Sequence, residues 1–241
     1  MNKIIFSLLL FISLSSFANE ETFIQAQTAY NQNNFTNAIQ LYESLISKGL
    51  INKEVDYNLA NAYFKSGNLP EAILHYRKAW YQSPRDPDII ANLQFALRAT
   101  SAVEPHQNIF EKLLQSFSIT EWIQIGIYAY LTFISLLILA YLITPAKPLF
   151  FKLSLIPAII ILLSCAGWYK WHQLKQNPEW VVIKSDATTY FGPIQGSTAH
   201  YKIPLGALVK QQTTNSKGWI KIKYDEKTGW IEEKYIKRIY P

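Results

Sequence analysis

Residues 122–171 read WIQIGIYAYLTFISLLILAYLITPAKPLFFKLSLIPAIIILLSCAGWYKW. Ile123 to Ile143 carries no charge and a single Gln. As a helix rising about 1.5 Å per residue, this run spans about 30 Å, the thickness of a hydrocarbon core. Leu153 to Tyr169 is a second uncharged run, long enough to cross if Lys152 and Lys170 reach back to the two interfaces. Thr144 to Pro148 between them leaves room only for a tight turn. Trp122, Trp168, Tyr169 and Trp171 stand at the outer ends, where aromatic rings favour the headgroup level. Two such runs back to back are rare in soluble folds. The expectation is a two-helix transmembrane hairpin, which returns the chain to the side it came from.

The 241 residues leave about 100 before the hairpin and about 70 after it, enough for one small domain on each flank. Charge is uneven. Residues 19–120 hold 8 basic and 10 acidic side chains, a net of −2, whereas residues 170–241 hold 12 and 6, a net of +6. Cys165 is the single cysteine, so no intrachain disulfide or cysteine metal cluster can form. Residues 1–18 have a basic start, an apolar run of about ten residues and a small-x-small end at Ser16-Phe17-Ala18. They predict an export signal. That signal places both flanks outside the cytoplasm and the hairpin turn, with Lys147 and Lys152, inside. Both soluble domains are therefore expected in the periplasm of a bacterial inner-membrane protein.

Residues 21–86 contain an internal repeat at an offset of 34. Ala26 falls on Ala60, Tyr30 on Phe64, Asn34 on Asn68, Ala38 on Ala72, Ile39 on Ile73 and Tyr42 on Tyr76. Small residues at Ala60 and Ala72 let two helices approach closely, Tyr63 and Tyr76 fill the space beside them, and Gly67-Asn68 allows the turn. Pro84 ends the second helix. This period and register resemble the tetratricopeptide repeat. Residues 87–99 follow as an amphipathic helix with Ile89, Ile90, Leu93 and Leu97 on one side, suited to covering the open end of the stack. Ile109, Phe110, Leu113, Leu114 and Phe117 then repeat at helical spacing. That pattern predicts a short amphipathic helix lying on the membrane or against the repeats. Ser118 or Thr120 caps the first span, with Glu121 as a helix-start charge.

After residue 175 short runs of Val, Ile and aromatics alternate with polar residues and are cut by turns such as Gly192-Pro193. They predict a small antiparallel β domain of about five strands. Gly206 before a β run, the pairs Gly218-Trp219 and Gly229-Trp230, and the closing Tyr235-Ile236 make it resemble the bacterial SH3-like domain. The expected architecture is an α+β multidomain membrane protein: an all-α tetratricopeptide-repeat stack, a two-helix transmembrane hairpin and a small all-β SH3-like barrel. Its segments are signal 1–18, repeats and capping helix 19–100, linker 101–121, spans 122–143 and 153–171 around a cytoplasmic turn 144–152, and SH3-like domain 175–241.

No catalytic pattern stands out, no cofactor is expected, and the expectation is a non-enzymatic protein. His75, His106, His172 and His200 are scattered, with no metal-ligand spacing. His75 reads as a half-exposed scaffold residue. Binding surfaces are better candidates. By the register of the tetratricopeptide resemblance, Tyr57, Asn58, Asn61, Phe64, Asn92, Phe95 and Arg98 line the inner groove of the stack. Amides and aromatics there suit a peptide held through its backbone. Some relatives clamp a C-terminal carboxylate; Asn58 matches that clamp's asparagine, but Phe23, Asp88 and Asn92 replace its basic residues. On the SH3-like domain, Trp219 and Trp230 read as core before ligand contacts. A basic surface with Lys210, Lys217, Lys221, Lys223, Lys234, Lys237 and Arg238 suits anionic lipid headgroups or an acidic partner. The resemblance also allows binding to peptidoglycan; nucleic acid is not expected as a partner.

The order of signal, short repeat array, IIANLQFALR cap, hairpin and SH3-like domain resembles the BatE proteins of the Bat (aerotolerance) operons of some Gram-negative bacteria. That resemblance implies membrane-protein partners from the same operons, among them von Willebrand A-domain proteins, more than it implies an activity.

Overall fold

A computed structural model describes residues 19–104, 108–176, 178–185, 187–212, 216 and 218–239. The expected signal, Pro105-His106 and Lys217 lie outside the described residues. The chain is α+β: a helical repeat stack, two long apolar helices and a seven-stranded antiparallel sheet.

A helix over residues 19–31 (α1) is followed by α2 (Phe35–Ser47), α3 (Lys53–Lys65), α4 (Leu69–Gln82) and α5 (Pro87–Ala99). The 34-residue offset is reproduced in backbone geometry. Asn33 (φ 61°) and Gly67 (φ +85°) both take the left-handed turn conformation, which suits Gly and next best Asn. Asn34 and Asn68, one residue on, are both N-caps, at φ −84° and −86°. Asn34 N–H bonds Ala29 O at 2.9 Å and Asn68 N–H bonds Tyr63 O at 2.9 Å, the same bond 34 residues apart. Ala26, Ala38, Ala60 and Ala72 are fully buried, and Tyr42 and Tyr76 nearly so. Ile89, Leu93 and Leu97 of α5 close the end of the stack.

A capping box at Asn108 and Glu111 starts α6 (Ile109–Gln115), and a second at Ser118 and Glu121 starts α7 (Ile119–Leu142). After a 3₁₀ turn (Thr144–Ala146), α8 runs from Lys147 to Gln176. The turn is shorter than the 144–152 expected, because Pro148 is tolerated in the first turn of a helix. Both long helices are apolar enough to cross a membrane; the most apolar 18-residue stretches of α7 and of Thr144–Leu174 have mean hydropathies of 2.1 and 2.3. Only 11% and 17% of their most apolar stretches are buried within the chain. They pair antiparallel at small residues. Gly126 faces Ser164, and Gly167 lies flat under the Trp122 ring, where an added Cβ would collide with the indole. Trp122 and Trp171 do not present themselves outward as expected: each is buried, donating its indole N–H to Leu114 O (2.8 Å) and Phe117 O (3.0 Å). Trp168 and Tyr169 remain exposed.

The sheet runs in the order β3-β2-β6-β5-β4-β1-β7, built from β1 (Glu179–Val182), β2 (Thr188–Tyr190), β3 (Ala199–Lys202), β4 (Leu208–Gln211), β5 (Trp219–Tyr224), β6 (Lys227–Glu232) and β7 (Ile236–Arg238). Two more strands exist than the periodicity predicts. β3 is almost wholly exposed and β2 and β7 are three residues long, so alternation has too little length to declare itself. The core is Val181, Val182, Leu208, Val209, Ile220, Ile222 and Ile231.

The β domain is joined to the repeats. Arg77 of α4 and Glu179 of β1 are each about 1% exposed and form a two-pronged ion pair, Nε to Oε2 at 2.7 Å and Nη2 to Oε1 at 3.1 Å. Tyr81 donates its hydroxyl to Glu179 at 2.8 Å and stacks edge-on against Trp171. Glu104 reaches Arg77 at 3.4 Å, and Lys237 pairs with Glu71 at 2.9 Å. Gly206, at φ +76°, lies where an added Cβ would come within 2.6 Å of Ile73. Repeats, long-helix ends and sheet thus meet at one junction.

Candidate functional site

Two surfaces gather the residues that the sequence singles out. The first lies on α3 and α5. Tyr57, Asn58, Asn61 and Phe64 are spaced over two turns of α3, and Asn92, Phe95 and Arg98 over two turns of α5. Asn92 Nδ2 donates to the Tyr57 hydroxyl at 2.8 Å and to Asn61 Oδ1 at 3.4 Å. The Tyr76 hydroxyl donates to the same Asn61 oxygen at 2.5 Å. Phe64 and Phe95 meet edge to face at 5.5 Å. Asn61 and Asn92 therefore tie the capping helix to the second repeat, and the Asn61 oxygen and Asn92 nitrogen are already engaged. Outward the surface offers the Phe95 ring, 56% exposed, with Arg98 exposed one turn on and Asn58 and Tyr57 half-buried.

The second surface is one face of the sheet. Along β5 the isoleucines Ile220 and Ile222 point inward, so Trp219, Lys221 and Lys223 point outward. Register puts Trp219 opposite Glu232 and Lys221 opposite Trp230, so both tryptophans share the outer face. Tyr190, paired with Trp230, stands edge-on to Trp219 at 5.4 Å. Trp219 and Trp230 are half-buried on this face rather than in the core, which the isoleucines fill. Lys223 pairs with Glu226 at 3.4 Å, and Lys221 lies directly opposite Trp230 and two residues along β5 from Trp219.

Sequence reasoning missed a buried polar line through the second repeat. Asp56 is 2% and His75 6% exposed, so His75 is core and not the half-exposed residue expected. Asp56 Oδ1 meets His75 Nδ1 at 2.9 Å, and its Oδ2 accepts from Gln82 at 3.0 Å. Burial lowers the His75 pKa, against the opposing pull of Asp56. Facing an oxygen that accepts, the ring donates Nδ1–H to Asp56. Tyr63 stacks on the other side of the imidazole and donates its hydroxyl to Glu43. The Arg77–Glu179 joint was missed for a plainer reason: the partners are 102 residues apart and neither belongs to a motif. Among the described residues no group of three His, Cys, Asp or Glu side chains could hold a metal ion.

The tetratricopeptide-repeat profile matches residues 25–87, which spans both copies of the 34-residue unit. A comparison with curated proteins found no match.

Proposed function

We propose that this chain is a non-enzymatic inner-membrane adaptor. Its tetratricopeptide repeats bind partner proteins on the periplasmic side, and α7 and α8 cross the membrane to hold the complex there. One observation carries the reading: in a repeat pair of a protein-binding family, Phe95 stands 56% exposed on the capping helix with Phe64 braced behind it. An exposed aromatic on a rigid, concave-forming scaffold is the usual anchor of a protein contact. The segment order supports a place among the BatE-like proteins, with other Bat-operon membrane proteins as partners. It also supports an SH3-like identity for the β domain.

The test replaces Phe95 and, separately, Lys221 with a photoreactive phenylalanine analogue in native membranes. The expected result is a discrete protein adduct from position 95. A discrete adduct from position 221 alone, in a folded protein, would overturn the assignment to the repeats.

The aromatic row Tyr190, Trp219 and Trp230 favours a second reading, in which the SH3-like domain grips peptidoglycan. Under it the full chain binds purified sacculi saturably and loses that binding on Trp219→Ala with the fold intact.

A further inference from the structure

Where α8 runs out into the β domain, a cleft of about 310 Å³ opens between them. Lys170, Gln173 and Leu174 form one wall; Lys210, Gln211 and Gln212 form the other. Two acids reach this corner: Glu111 of α6, whose Oε1 takes Lys170 Nζ at 2.7 Å, and Glu179, which stands opposite Lys210 in the sheet but is already held by Arg77. The Lys170 hydrogen bond is the main cause of a lowered Glu111 pKa, and Lys210 adds to it through space. With Arg77 and Glu179 cancelling each other, two ammonium groups against the Glu111 carboxylate leave the corner a net positive charge, and the Gln173 and Gln212 amides stand beside it. That set suits a phosphate, which spreads its charge over several acceptor oxygens.

A second observation says what carries the phosphate. α6, fastened beside the cleft through Glu111 and through Leu114 under Trp122, turns its other apolar side chains out. Ile109, Phe110 and Leu113 are 88%, 56% and 47% exposed. They sit at the end of the long-helix pair where Ile123, Trp168 and Tyr169 are also exposed, so the apolar surface of the pair continues onto α6. A free phosphate ester has no use for such a shoulder; an amphiphile does.

The geometry points to a binding site for an anionic phospholipid: its phosphate between Lys170 and Lys210, and α6 lying in the boundary between headgroups and acyl chains. This rests on the reading that α7 and α8 cross a membrane. The experiment puts the full chain, with a photoreactive residue at Gln212, into nanodiscs of phosphatidylcholine containing a minority of phosphatidylglycerol. The expected result is capture of phosphatidylglycerol about fivefold above its mole share, the effect of one lysine near an anionic surface. Lys210→Gln brings capture down to the mole share, and Phe110→Ser lowers it. Lys221→Gln, on the outer face of the sheet, leaves it unchanged, and all three variants keep the wild-type unfolding temperature. Capture at the mole share in the wild-type chain would overturn the site. So would an equal loss with Lys221→Gln, which means a diffuse basic surface, or full competition by millimolar glycerol phosphate, which means a soluble ester. A chain released by alkaline carbonate overturns the spans and this site together; one retained but without enrichment overturns the site alone.

Discussion

At the scale of single residues, the joint between repeats and sheet hangs on Arg77. Burial works against its charge, and Glu179 more than restores it, so the guanidinium pKa is raised. Arg77→Ala leaves Glu179 charged and unpaired in the interior, which costs about 3–5 kcal/mol. Thermal unfolding in detergent should show that loss, while Lys237→Ala, at the exposed rim of the same interface, costs about 1 kcal/mol or less. Acid acts on the same joint. Burial alone would raise the Glu179 pKa, but Arg77 and the Tyr81 hydroxyl hold it below the usual carboxylate range. A lowered folded value means stability that is complete above the unfolded value of about 4.3 and lost as pH falls through the folded one. His75 acts earlier. Its folded pKa lies below the unfolded value of about 6.5, so the unfolded chain binds the extra proton. Stability should therefore begin to fall below about pH 6.5, by at most about 1.4 kcal/mol per pH unit. A pH series of urea unfolding checks this: His75→Gln should flatten the slope between about pH 5 and 6.5 and leave the Glu179 region below about pH 4 in place.

At the scale of elements, legibility tracked the length of the pattern. The repeat pair announced itself because Ala, Tyr and Asn recur at one offset, and the structure returns the same offset in turn dihedrals at Asn33 and Gly67. The two long helices were legible from uncharged length, though not their seam. Nothing in the sequence says that Gly167 is flat because Trp122 covers it. β2, β3 and β7 were illegible as strands because three or four residues cannot display a period of two. Of the candidate groove residues, placement on α3 and α5 was legible and engagement was not: Asn61 and Asn92 look like free amides until their hydrogen bonds to Tyr76 and Tyr57 are seen. The seam makes its own prediction. Gly167→Leu drives a side chain into the Trp122 ring and should part the upper halves of α7 and α8. Overpacking of this kind costs about 1–3 kcal/mol. It should also expose the Trp122 indole, read as a shift in tryptophan emission, whereas Cys165→Ser on the exposed side of α8 leaves both unchanged.

At the scale of the whole molecule, the repeats and the sheet form a single head at one end of the helix pair. α4, α6, the start of α7, the end of α8 and the sheet all meet there, and among the described residues Thr144–Ala146 marks the other end. The proposed topology follows this polarity. Alkaline phosphatase fused after Ser101 or after Pro241 should be active, and at Lys147 inactive. Activity at Lys147 with none at the other two would reverse the orientation and with it the compartment of every partner proposed above.

The Arg77–Glu179 pair also sets an order of events. Its partners lie 102 residues apart, and both long helices are made between them. At synthesis rates of about 5–20 residues per second, Arg77 waits roughly 5–20 s before Glu179 exists. During that interval the finished repeats expose the face that will later be sealed, with Arg77 and Ile73 uncovered. A nascent chain stalled before residue 179 should be cut readily by protease within α4, and the full-length chain should resist. The β domain, made after the repeats, is thus the one that certifies them.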